Sequence, residues 1–68
     1  MTNTAKLKGL LVENEMTQED MAKELNIAMF TFNEKLNNKR DFTAKELQGI
    51  KARLNMSNEK FMSIFFPD

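Results

Sequence analysis

Apolar residues recur along this chain at intervals of three and four, with no stretch of strict alternation, and that spacing predicts helices rather than strands. Leu7, Leu10 and Leu11 give one face to a first helix over about residues 4–14. Thr17 stands before QEDMAKEL as the cap of a second, with Asp20 three residues on as a weaker form of the capping-box acid. Met16 and Met21 fall at the two positions of a hydrophobic staple, and Met21, Ala22 and Leu25 form the inward stripe. After the short link Asn26-Ile27 a third helix runs from about Ala28 to Asn37, with Ile27, Phe32 and Leu36 facing in. Asn37-Asn38 ends it, because Asn tolerates the left-handed conformation that helix termini require. Thr43-Ala-Lys-Glu46 is a full capping box for a fourth helix carrying Leu47, Ile50 and Leu54 on one side. Ser57 caps a fifth, in which Phe61, Ile64 and Phe65 close the core before Pro67 stops it. The pattern therefore predicts a single all-α domain of five helices over residues 1–68, centred on Leu36, Leu47, Ile50 and Phe61. Its second and third helices form a helix-turn-helix at about residues 17–37.

Length and composition narrow the chemistry. A chain of 68 residues has material for one core only, since it buries about 60% of the surface its unfolded form exposes. There is no cysteine and no histidine, which removes disulfides, thiolate zinc sites and the commonest general base. Neighbouring acids such as Glu13 and Glu15, or Glu19 and Asp20, read as a solvated face, and no glycine-rich phosphate loop is present. No enzyme, cofactor or small-molecule substrate is expected. Nothing resembles a signal peptide or an apolar run of about 20 residues, so no membrane association is expected and the cytoplasm is the expected compartment.

Charge changes the picture further. Ten Lys and Arg balance ten Asp and Glu, so the basic surplus that usually marks a DNA binder is missing. Residues 17–37 are acidic, with Lys23 and Lys35 against Glu19, Asp20, Glu24 and Glu34. The basic surplus lies in residues 38–68, which include Lys39 and Arg40.

The stretch TQEDMAKELNIAMFTFNEKLNNKRDFTAKEL resembles the helix-turn-helix of the Cro/C1 (XRE-like) repressor family, and the resemblance extends over residues 5–66. The blocks TQEDMAKELNI and KLNNKRDFT are its specific parts. The second block and the closing IFF are similar to small regulators of temperate phages of Gram-positive bacteria, lactococcal phages among them. The resemblance implies a lambda-repressor-like bundle of about five helices working in the cytoplasm of a bacterial host. It also implies that Gln18 holds a phosphate, that Met29, Phe30, Asn33 and Glu34 occupy the base-reading positions, and that Asn37, Asn38, Lys39 and Arg40 touch the DNA backbone. Gln18, Asn33, Lys39 and Arg40 fit as candidate DNA contacts. Met29 and Phe30 stand where polar readers usually do, and Ala28 replaces the usual capping hydroxyl.

Helical geometry places Met29, Phe30, Asn33 and Glu34 opposite the inward Phe32 and Leu36. Three readings of that face follow. In the first, Phe30 tilts into the cleft between the second and third helices and Met29 is ordinary surface. In the second, the chain is a Cro-like repressor binding operator DNA through residues 28–40, with apolar contacts to thymine methyls, Asn33 paired to adenine and Glu34 accepting from cytosine. In the third, Ala28, Met29, Phe30, Asn33 and Glu34 bind a protein. The resemblance supplies a partner for the third: phages of this kind encode small antirepressors, or modulators of repression, that join the N-terminal domain of the phage repressor. An antitoxin-like regulator is a further class, which would normally carry a toxin-binding tail. The missing basic surplus and the apolar pair favour the protein partner. The isolated chain should accordingly bind DNA weakly and with steep salt dependence, as measured by operator shifts at stated ionic strengths. Tight operator binding near physiological salt would overturn that preference.

Overall fold

All five expected helices form, in the expected order: α1 (Thr4–Glu13), α2 (Gln18–Glu24), α3 (Met29–Leu36), α4 (Ala44–Arg53) and α5 (Asn58–Phe65). The computed structural model describes residues 1–67, and no strand is found among them. Four of the five starts carry a side-chain cap. Asn3, Thr17, Thr43 and Ser57 accept from the backbone N–H three residues on, and at Thr17 and Thr43 the Asp20 and Glu46 carboxylates complete reciprocal capping boxes. Asp20 thus forms a complete box. Only α3 starts on a residue without a side-chain cap, Ala28.

The helix ends share one device. Glu15, Asn26, Asn38 and Asn55 each take a positive φ, between 51° and 64°, one residue past the C-cap. At every one of these turns two backbone bonds close a Schellman motif; at the first, the Met16 N–H donates to the Leu11 carbonyl and the Glu15 N–H to that of Val12. The residues that follow, Met16, Ile27 and Met56, then pack on the core, while Lys39 after the third turn remains exposed.

The core gathers residues from every helix. Leu7, Met21, Phe32, Leu36, Ile50 and Ile64 are fully buried, ringed by Leu10, Leu11, Met16, Leu54, Met56 and Phe65. Leu36 and Ile50 hold the central places expected of them. Leu47 and Phe61 do not: both are half-buried at its margin. A ladder of aromatic rings runs along the edge of the core. Phe42, in the loop before α4, lies 5.9 Å from Phe32 and 5.8 Å from Phe65, and Phe61 stacks outside Phe65 at 5.1 Å. Phe42 fills the space near Phe32 and Phe65, and the Lys51 ammonium covers Phe61 at 5.4 Å from the ring centre. Residues at the start of α1 pin the other elements together. Asn3 N–H donates to the Ile64 carbonyl at 2.6 Å, and the Thr4 hydroxyl donates to the Leu36 carbonyl, capping the last turn of α3.

Glu15 is the one residue of the four left-handed turns that lacks the local preference of asparagine for that conformation. Glu15→Gly should therefore raise stability by about 1 kcal/mol, the relief of strain exceeding the added chain entropy of glycine. A thermal melt should move up by roughly 4–8 °C. An unchanged or lower midpoint would show that the turn carries no strain.

Candidate docking face on the third helix

The turn from α2 to α3 is three residues of loop after the Leu25 cap, and its brevity sets how α3 presents itself. Asn26 reverses the chain, Ile27 packs on the core, and Ala28 starts α3 from an extended conformation. Phe32 and Leu36, one turn apart, are completely buried, which fixes the rotation of the helix. The opposite side is then exposed. Met29 is 44% exposed and Phe30 72%, while Ala28 and Asn33 also face solvent and Glu34 is half-buried. Phe30 therefore does not lie in the cleft between α2 and α3.

The polar groups on this face are paired with one another. Asn33 Nδ2 donates to Gln18 Oε1 at 3.2 Å, which joins the exposed side of α3 to the start of α2. Arg40 reaches back to Glu34, with Nη1 at 3.4 Å from Oε1. Both links are on the surface and individually weak. Their consequence is one of orientation: the two candidate DNA contacts Gln18 and Asn33 hold each other, and Arg40, in the loop after α3, lies against Glu34 of that helix. Lys39 is exposed and forms no ion pair among the described residues. The structure thus brings Ala28, Met29, Phe30, Asn33, Glu34, Gln18 and Arg40 onto one region, with Lys39 at the turn beside it.

A buried ion pair holds α3 from behind. Lys35, on the inward edge of the helix, is buried, and its ammonium meets both Glu46 oxygens at 2.6 and 2.8 Å. The same carboxylate accepts the Thr43 N–H at 2.9 Å, so one side chain caps α4 and anchors α3. The sequence pattern does not show this pair, because Lys35 becomes buried only when the α3–α4 turn brings Glu46 against it. Burial opposes ionisation of Glu46, but the bonds from Lys35 and from the Thr43 N–H outweigh it and lower its pKa. The pKa of Asp20 is likewise lowered, chiefly by its bond from the Thr17 N–H.

Val12 is a further apolar residue that the spacing did not single out as exposed. It sits one position beyond the inward Leu11 and is 74% exposed. No helix among the described residues is long and apolar enough to cross a membrane. Compared with protein-family models, with curated proteins and with solved structures, the chain matches none.

Because folding lowers the pKa of Glu46, its contribution to stability is complete above the ordinary value of 4.5 and is lost as pH falls through the lower folded value. Acid titrations should show stability constant near neutrality and falling below that point. Glu46→Gln should destabilise the domain by about 3–5 kcal/mol at neutral pH, as Lys35 stays buried without its counter-charge, and should flatten the acid dependence. A variant with parental stability at pH 7 would show that the pair anchors nothing.

Proposed function

We propose that this chain is a regulator of a temperate-phage genetic switch, an antirepressor-like modulator that binds the N-terminal domain of the phage repressor and alters or blocks its hold on DNA. One observation carries the reading. Met29 and Phe30 lie exposed side by side at the start of α3, where a DNA-reading helix would need polar side chains. Burying each in a partner's pocket would contribute roughly 1.5–3 kcal/mol, enough to make the pair an anchor. Asn33, Glu34 and Gln18 form its polar rim, and Ala28 lies at the helix start.

Electrostatics supports the same choice. The chain has no net charge, and its α2–α3 segment is acidic, which opposes approach to a polyanion. Gln18 pairs with Asn33 and Arg40 with Glu34, so reaching a phosphate or a base would compete with these contacts. The resemblance of KLNNKRDFT and the closing IFF to small phage regulators suggests the identity of the partner protein.

Met29→Ser and Phe30→Ser should each weaken binding to the repressor N-terminal domain by about 2 kcal/mol or more, with helicity and melting temperature nearly unchanged. Titration calorimetry with that domain, operator shifts and circular dichroism melts on the two variants separate the readings. Loss of operator binding with the protein complex intact would assign the face to DNA. Unchanged repressor affinity in both folded variants would remove the anchor.

A further inference from the structure

We infer that the docking surface continues past Gln18 into an apolar notch between α1 and α2, which receives from the partner protein an apolar side chain with a carboxylate beside it. The notch is lined by Lys8, Leu11, Val12, Met16, Thr17 and Gln18. Leu11 and Met16 are buried beneath it, and Val12 rises from its wall almost uncovered. The inference rests on the protein-docking reading of α3, which it extends to a second contact.

Gln18 makes the connection. It lines the notch and at the same time accepts the hydrogen bond from Asn33, so the notch and the exposed side of α3 share a residue. A partner seated on Phe30 and Asn33 has this notch as its immediate neighbour. The apolar content of the notch selects an apolar side chain, and its charge selects what stands next to it. Lys8 is the sole charged residue in the lining, it is exposed, and no ion pair engages it among the described residues. Lys8 and Val12 are four residues apart on α1 and therefore share a face. A carboxylate adjacent to the inserted side chain complements that cation. The thermodynamic gain comes from covering Val12, and the charge contributes orientation and association rate.

The test uses the full chain and the repressor N-terminal domain, with Val12→Ser, Lys8→Glu and Phe30→Ser compared in parallel. Val12→Ser should weaken binding on the order of tenfold through the lost apolar contact. Lys8→Glu should slow association at low salt, with the deficit shrinking as salt screens it. Both should melt with the parent, since neither residue is in the core. If Phe30→Ser weakens the complex while Val12→Ser and Lys8→Glu leave it unchanged, the notch is overturned and docking on α3 stands. If Phe30→Ser has no effect, the docking reading itself fails and the extended surface with it, whatever the notch variants do. Sedimentation of the protein alone supplies the last arm: a dimer dissociated by Val12→Ser would assign the notch to a second copy and overturn the inference.

Discussion

No helix among the described residues is long enough to persist on its own. The five span seven to ten residues, below the roughly 12–15 at which even favourable sequences become marginally helical in water. Each must be closed at both ends and laid against a neighbour at once. The single left-handed residue after each of the first four helices meets that constraint. It pairs the last free carbonyls, turns the chain within one position, and returns a side chain to the core at three of the four turns. Burial of Phe32 and Leu36, the rotation of α3 and the exposure of Met29 and Phe30 all descend from turns that are too tight to be adjusted.

Much of this was legible in the residues. Thr17, Thr43 and Ser57 announced three helix starts, because a hydroxyl before an amphipathic run has a specific local use at that position. Met16 and Met21 announced the staple, and both are buried. Local chemistry also pointed to the Asn37-Asn38 turn, where Asn38 carries the positive φ. It was silent at Glu15, where the turn is imposed by what surrounds it rather than by the residue. The centre of the core was only half legible. Periodicity identifies the side of a helix that faces in, but not how deep that side lies. Leu47 and Phe61 point inward at the margin, and Phe42, in a loop with no period at all, packs between Phe32 and Phe65.

The candidate face shows the same division. Opposition to Phe32 and Leu36 was enough to place Met29, Phe30 and Asn33 outward, since one helix fixes that relation by itself. The pairings that qualify the face are tertiary. Gln18 meets Asn33 across two helices, Arg40 folds back on Glu34 across a turn, and Lys35 finds Glu46 only through the loop between α3 and α4. None of these follows from spacing, yet together they hold the helix from behind and link its polar side chains in front.

Asn38 joins the two ends of this logic. Its backbone makes the left-handed turn after α3, and its side-chain amide exchanges hydrogen bonds with the backbone of Thr2, donating to the carbonyl at 2.9 Å and accepting from the N–H at 2.8 Å. Met1 and Thr2 consequently line the same hollow as Arg40, Phe42 and Phe66. Whatever is joined ahead of Met1, whether a purification tag, a fluorophore or a tether to a surface, emerges beside the Lys39–Arg40 turn and loads the clamp that shapes it. A reporter placed there would sense the turn as much as report on it.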